Sequence, residues 1–245
     1  MNCNLLIDIG NSSAKYSLAT DDKLMEQGRV ATDLLTEICD IAAKHDVAKA
    51  MVCSVAGAPT ELVNKLRELG TETTVLGAET PLPFNIAYKT PLTLGADRIA
   101  AMAGAMAQWQ EKDMLVVDAG SCITYEFLIN GTYAGGNIAP GLEMRLNVMH
   151  EHTARLPKAD ANGDLPYIGY DTDSALRAGA LRGIQHEIEG YACQMLEWCE
   201  GPVRVVMTGG DAPLIRETLN IEAETDAALV LRGLNYILKY NEQSN

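Results

Sequence analysis

Apolar and polar positions along the chain follow two periods in alternation. Leu5, Leu6 and Ile7 make a short uninterrupted apolar run of the kind a buried strand shows. Asp8, Gly10, Asn11, Ser12 and Ser13 end it, and Tyr16 and Leu18 then alternate with smaller or polar residues, as a returning strand would. Residues 4–19 are therefore expected to form a hairpin, with a third strand near 29–31. A helical period follows over 33–45, with Leu34, Leu35, Ile38, Ile41 and Ala42 on one face. A buried strand over 48–55, a helix over 60–69 with Thr60 as its N-cap, and a short strand over 73–76 come next. Strands and helices in this alternation predict an α/β fold with parallel elements.

Residues 77–94 break the pattern with Pro81, Pro83 and Pro91, a long connection of the kind that tends to carry function. Ile99, Met102, Ala103 and Met106 then trace a helix face whose first turn is Gly95, Ala96, Asp97 and Arg98. A buried strand over 114–118 enters a second hairpin, and 132–138 continues the sheet. Pro140-Gly141 opens a helix over 142–155 whose apolar residues Met144, Val148 and Met149 spread around it, as on a helix buried against a partner. After an irregular link over 158–171, Thr172 is expected to cap a long helix reaching about residue 200. A strand over 203–207 runs into Thr208-Gly209-Gly210-Asp211-Ala212, a strand-to-helix turn that lets backbone approach a ligand. A helix over 226–240 closes the chain and is expected to pack back on the first half. The division expected is residues 1–114 and 115–245.

The chemistry sits in the two hairpins. The turn after Asp8 offers backbone N–H groups and small donors in a concave array, which suits phosphate oxygens, with Asp8 placed to serve a phosphate-bound Mg²⁺ and Lys15 to add a point charge. Asp-x-Gly-Asn is also ordinary hairpin turn chemistry. A second copy changes the picture: Asp118, Gly120, Ser121 and Cys122 follow another apolar strand half a chain later. A repeat that includes the polar turn residues is hard to explain by packing, and it suggests a duplicated architecture with a nucleotide between the halves.

Between the hairpins lies the start of the mid-chain helix. Asp97 there is an ordinary N-terminal carboxylate; Arg98 beside it is opposed by the helix dipole and invites an anionic partner for its planar fork. That pairing favours a substrate carboxylate on Arg98 and a reacting hydroxyl on Asp97. Tyr88 serves equally as a core aromatic or a ligand contact. His45 falls at a helix end and is expected at the surface. His150 and His152 lie two apart, so a helix would not turn them together onto a metal.

Composition narrows the classes. The 245 residues are 47% hydrophobic, enough for a substantial core, and the formal charge of −14 opposes non-specific attraction to nucleic acid or anionic membrane. No apolar run is long enough to span a bilayer and no signal-peptide pattern begins the chain, so the expectation is cytoplasmic. The six cysteines form no CxxC pair, which points to a reducing compartment without disulfides or structural zinc.

The motifs DIGNSSAK, Tyr88 followed by PLTLGADRIAAMAGA, VVDAGSCITYEFL, GGNIAPG, TDSALRAG, TGGDA and DAALVLRGL occur in the order seen in the type III pantothenate kinases, which this chain resembles over nearly its full length. The resemblance implies an α/β, duplicated ribonuclease H-like (actin-like ATPase) two-domain fold with the nucleotide cleft between the domains. It implies ATP-dependent phosphorylation of pantothenate to 4′-phosphopantothenate, the first step of coenzyme A synthesis. By the same resemblance Asp8, Ile9, Gly10, Asn11, Ser12, Ser13, Ala14 and Lys15 hold the ATP phosphates and Mg²⁺, and Ser121 contacts ATP. Asp97 acts as general base. Tyr88, Gly95, Ala96, Asp97, Arg98 and Thr172 bind pantothenate, and Asp118 holds a monovalent cation, K⁺ or NH₄⁺. It further implies a homodimer, with the helix after Pro140-Gly141 as the candidate interface. Ser12 and Ser121 stand where the family usually has threonine, which keeps the hydroxyl and loses a methyl. The rival expectations are another small-molecule kinase of the same superfamily and a non-enzymatic transcriptional accessory protein.

Overall fold

A computed structural model of the chain describes residues 3–11, 13–55 and 57–243. The chain divides into two compact units, Met1–Gln110 with Ala228–Asn245, and Glu111–Ala227. In the first, β1 (Cys3–Ile9), β2 (Ser13–Thr20) and β3 (Lys23–Ala31) form an antiparallel meander. The chain then crosses through helix α1 (Glu37–His45) to β4 (Val47–Ser54), parallel to β1, and through α2 (Thr60–Glu68) to β5 (Glu72–Val75), parallel to β4. The sheet order is β3-β2-β1-β4-β5. Tight turns make the antiparallel pairs and helices make the parallel ones, as strand direction requires. The connection 77–94 carries only the two-residue strand β6 (Asn85–Ile86) and a 3₁₀ turn over Pro91–Thr93.

β1 is apolar on both faces because both are covered. Leu5, Ile7 and Ile9 join Ile38 of α1 and Leu62 and Leu66 of α2 in one buried cluster. Leu6 and Met51, also buried, fall on the opposite face by alternation, the side on which α7 (Leu229–Gln243) packs against β1 and β4. α7 in turn crosses α3 (Ala96–Trp109) at two glycines. A Cβ on Gly104 would lie 2.1 Å from the Leu229 carbonyl oxygen, and one on Gly233 would lie 1.8 Å from that of Ala100. The two backbones thus meet with no side chain between them. Polar ties hold α7 to the same unit: Asn235 Nδ2 donates to the Asp21 carbonyl at 2.7 Å and Lys49 pairs with Glu242 at 2.9 Å.

Several ends differ from the periodicity. The helix expected over 33–45 begins at Glu37, with Thr32–Leu34 wound as a 3₁₀ turn. His45 is half-buried and lies 3.3 Å from Glu26, not simply at the surface. Thr60 is the first residue of α2 and Pro59 its N-cap, because the Thr60 N–H already donates back to Ala58. The last helix starts at Leu229, since the Asp226 N–H donates to the Met207 carbonyl and keeps that stretch with the preceding strand.

The second unit repeats the winding of the first. β7 (Met114–Ala119), β8 (Cys122–Ile129) and β9 (Thr132–Pro140) form an antiparallel meander, and β10 (Arg204–Thr208) and β11 (Glu224–Thr225) continue in parallel from β7. Within this unit the order is β9-β8-β7-β10-β11, strand for strand the order of the first sheet. The duplication suggested by the two Asp-x-Gly turns is therefore present in the topology.

Helices α4 (Leu142–Glu151), α5 (Thr172–Trp198) and α6 (Ala212–Arg216) accompany this sheet. α4 stops four residues short of the expected 155: Thr153 Oγ1 donates to the Met149 carbonyl, and the His150 ring nitrogen meets the Leu156 carbonyl at 2.7 Å. The cap of α5 is Asp171, not Thr172; its carboxylate accepts the Ser174 N–H at 2.8 Å and the Ser174 hydroxyl accepts the Asp171 N–H, a reciprocal capping box. Arg145 of α4 grips Glu187 of α5 through two bonds of 2.8 and 2.7 Å, and Tyr125 of β8 donates to the same carboxylate at 2.6 Å. Burial alone would raise the Glu187 carboxyl; the bonds from Arg145 and Tyr125 outweigh it and hold the group below its ordinary value.

The α3–α7 crossing yields a prediction. Gly233→Ala forces a methyl onto the Ala100 carbonyl and should destabilise the fold by about 1–3 kcal/mol or more. Denaturant unfolding checks this; an unchanged midpoint would show that the helices can separate at no cost.

Candidate functional site

Each unit ends its first strand in an aspartate followed by a glycine turn. In the first, Asp8 stands opposite Lys15 across the β1–β2 pair and level with Cys53 of the parallel neighbour β4. Ile7 and Ile9 point into the α1–α2 cluster, so Asp8 points the other way, to the Leu6 side. The turn is closed by the Gly10 N–H donating to the Ser13 carbonyl at 3.0 Å. A Cβ on Gly10 would sit 3.3 Å from that same oxygen. Ile9 and Ala14 are buried flanks, Asn11 is exposed and Ser13 half-buried. Ser12 lies outside the described residues.

Asp8 is half-buried, and burial is the largest influence on its carboxyl, pushing it above its ordinary value. The Cys53 thiol, donating to Asp8 Oδ1 at 3.2 Å, and the Lys15 ammonium pull the other way, while Asp97 adds like-charge repulsion. Cys53 itself is fully buried beside two carboxylates, which raises its thiol well above the ordinary range and keeps it a protonated donor.

Asp97 reaches this neighbourhood from the first turn of α3. Its Oδ1 accepts the Arg98 N–H at 2.9 Å, which folds the carboxylate back over the N-cap, Gly95. A Cβ at position 95 would lie 2.5 Å from that oxygen, so only glycine leaves the carboxylate its place. Arg98 is buried to 6% exposure, and its guanidinium carbon lies 5.8 Å from the centroid of the Tyr88 ring. A cation over an aromatic face near a helix N-terminus is held against the dipole by that ring. The first unit thus brings Asp8, Lys15 and Asp97 together and sets Tyr88 against Arg98.

The second unit builds the matching feature more tightly. Asp118 is half-buried at the end of β7, the Gly120 N–H donates to the Cys122 carbonyl at 3.1 Å, and the Gly141 N–H donates to the Ser121 carbonyl at 3.1 Å. A Cβ on Gly141 would lie 2.4 Å from the Gly120 oxygen. Gly209, at φ +97°, leaves no room for a Cβ, which would lie 2.4 Å from the Ala119 backbone and 2.6 Å from Asp118 Oδ1. The Asp211 N–H donates to the Ala119 carbonyl at 3.0 Å and staples the Thr208-Gly-Gly-Asp turn to this strand end. Ser121 is exposed on the hairpin tip, and Thr172 is exposed at the first turn of α5.

The chain as a whole is similar to known proteins. A family model described as type III pantothenate kinase matches residues 4–194. The chain belongs to that family. A type III pantothenate kinase of Bacteroides fragilis is 43% identical over 97% of this chain and 98% of its own length. One of Porphyromonas gingivalis is 36% identical over 98% of this chain and its full length. Among solved structures, a Campylobacter jejuni protein described as a proposed Baf-family transcriptional activator shares 26% identity with a TM-score of 0.69, covering 98% of this chain and 99% of that one. A ROK family protein from Streptococcus pneumoniae, in complex with sucrose, shares the fold at 12% identity and a TM-score of 0.54, over 98% of this chain and 99% of its own. These neighbours share the two-sheet α/β fold described above.

One residue beside the first hairpin escapes the sequence pattern. Cys53 reads as a small hydrophobe within a strand, and only the parallel register of β4 on β1 reveals it as the partner of Asp8. Gly95, which the resemblance names as a pantothenate contact, gains a second reason from the structure: a Cβ there would crowd the folded-back Asp97 carboxylate.

The raised Asp8 carboxyl has a consequence for stability. A group whose value is raised on folding favours the folded state when protonated and costs stability once ionised. Asp8→Asn keeps the Cys53 hydrogen bond and removes the charge, so it should raise the thermal midpoint at pH 7. The gain should shrink as the pH falls through the carboxylate range. A variant less stable than the parent at pH 7 would contradict the burial assignment.

Proposed function

We propose that this protein transfers the γ-phosphoryl group of ATP to the primary hydroxyl of pantothenate, giving 4′-phosphopantothenate and opening coenzyme A synthesis. Family membership supplies the reaction class, and the observation that carries the reading to particular atoms is the meeting of Asp8, Lys15 and Asp97 in one unit. The name of the Baf-family neighbour favours one rival, a transcriptional accessory role. A charge of −14 stands against direct contact with nucleic acid.

In this reading residues 8–15, Ser12 included, cradle the ATP phosphates, and Ser121 contacts ATP. A single half-buried carboxylate suits Mg²⁺, which takes one or two protein oxygens and otherwise keeps phosphate and water. Asp8 would hold it, and the ion would neutralise charge on the β- and γ-phosphate oxygens. Asp118, a strand-end carboxylate against which Gly209 packs without a side chain, suits a large monovalent cation, K⁺ or NH₄⁺.

Pantothenate is held by Tyr88, Gly95, Ala96, Arg98 and Thr172, with its carboxylate on the Arg98 fork. The Asp97 carboxylate accepts the proton of the attacking hydroxyl. The hydroxyl oxygen bonds to the γ-phosphorus as the bond to the β–γ bridging oxygen breaks, ADP leaves, and Asp97 returns its proton to solvent. Phosphoryl transfer asks mostly for positioning and charge neutralisation around a loose transition state, which these groups provide.

A homodimer is part of the same proposal. α4 exposes Met144 and Val148 beside an apolar recess of about 340 Å³ that Pro140, Met149 and Ala180 also line, a face suited to a second copy. Among the described residues no helix is long and apolar enough to cross a membrane, in keeping with a cytoplasmic site of action.

The test is an ATP-coupled assay of the purified protein with Mg²⁺ against a panel of acceptors. Turnover with pantothenate and not with sugars or short acids is expected; turnover with none, alongside a gel shift at physiological salt, would favour the accessory role. Asp97→Asn should cut kcat by about 10²-fold or more with pantothenate affinity largely kept. Wild-type turnover in that variant would remove Asp97 from the base role. Replacing K⁺ and NH₄⁺ by Na⁺ should lower the rate sharply, and an unchanged rate would take the cation away from Asp118.

A further inference from the structure

β3 brings one more basic residue to the first hairpin. Arg29 stands opposite Lys15 in the β2–β3 pairing, and Lys15 stands opposite Asp8 in the β1–β2 pairing. Directly opposed residues on neighbouring strands share a face, so Asp8, Lys15 and Arg29 form a row across three strands. The row runs beside the turn that Gly10 and Ser13 close.

Arg29 is bound to that turn. Its Nε donates to Ser13 Oγ at 2.7 Å, which lays the guanidinium alongside the turn although the residue is exposed. Three residues on, Thr32 Oγ1 donates to the Asn11 carbonyl at 3.3 Å and ties the end of β3 to the same loop. Among the described residues no carboxylate forms an ion pair with Arg29. That is notable in a chain with 33 acidic and 19 basic residues. A guanidinium carries five donors in a rigid fork; with Nε given to Ser13, the two Nη groups form its outer edge, spaced to match two oxygens of a phosphate.

We infer that Arg29 is a phosphate-binding residue of the first hairpin, its Nη groups engaging the polyphosphate of a nucleoside triphosphate beside Lys15 while Ser13 holds the guanidinium in place. The inference rests on the nucleotide-binding reading of that hairpin. Lys15 supplies a point charge on a flexible stem, and Arg29 supplies direction. Ser13 then acts twice, as part of the turn and as the anchor of the arginine.

Calorimetric titration of the full chain with MgATP, together with initial-rate kinetics, tests this on Arg29→Gln, Arg29→Lys and Ser13→Ala. Arg29→Gln should weaken the Kd for MgATP by about tenfold, since a charge-assisted contact is lost, with the KM for pantothenate moving less than about twofold. Arg29→Lys should recover part of the loss and Ser13→Ala should show part of it. The thermal midpoint of unliganded Arg29→Gln should stay within about 2 °C of the parent, as for an exposed substitution. An MgATP Kd unchanged in Arg29→Gln would overturn the inference. So would a loss toward both substrates that tracks a fall in the unliganded midpoint, which would mark Arg29 as a brace for the fold. If the parent binds MgATP but does not phosphorylate pantothenate, the functional reading fails while the shift in Kd still decides the role of Arg29. A parent that does not bind MgATP overturns both.

Discussion

A carboxylate carried to the end of a buried strand is the constraint around which the first unit is arranged. Ionising Asp8 there is opposed by burial, and nearby groups answer that cost: a protonated thiol from β4 and an ammonium from β2. None of these removes the penalty, since the carboxyl remains above its ordinary value. A site left short of positive charge is one that a metal–polyphosphate complex can complete. On the proposed function, stability given up in the empty protein would be regained when the nucleotide binds, a common relation between strained sites and function.

The rest of the first unit serves to bring a second carboxylate close to that first one without fusing the two. α3 delivers Asp97 from its N-terminus, where the Arg98 N–H fixes one oxygen, and Gly95 leaves the space for it. α3 is itself fixed by backbone-to-backbone contact with α7, through glycines on both helices. The last fifteen-odd residues of the chain thus set the position of a residue near its middle. The second unit repeats the strand order and the Asp-x-Gly ending, with a third glycine turn, that of Gly209, pressed against Asp118. One winding, used twice, provides a strand-end carboxylate each time.

Much of this was legible in the residues. The apolar runs before Asp8 and Asp118 located both first strands, and the repeated polar turn foretold a duplication that the sheet orders bear out. Helix ends were less legible because local bonds decide them: Asp171 outcompetes Thr172 as the cap of α5 because Ser174 lies at the right distance to reciprocate. The partnership of Cys53 with Asp8 depends on strand register across a helical crossover, and the Gly104–Gly233 approach on the crossing of two helices far apart in the chain. Neither leaves a periodic trace. Arg29 looked like any polar residue of an edge strand until the Ser13 bond gave its side chain a direction.

The constraint on Asp8 is electrostatic, and the titration of its carboxyl reads it at the source. Carbon-13 NMR of aspartate-labelled protein, with Asp8 assigned by its Asn variant, would follow that group in the empty chain and with MgATP. A value above the ordinary 3.8 is expected in the empty protein, with a fall below it once the phosphates and their metal are bound. A carboxyl that titrates at or below the ordinary value in the empty protein, and does not move when MgATP is added, would contradict that expectation.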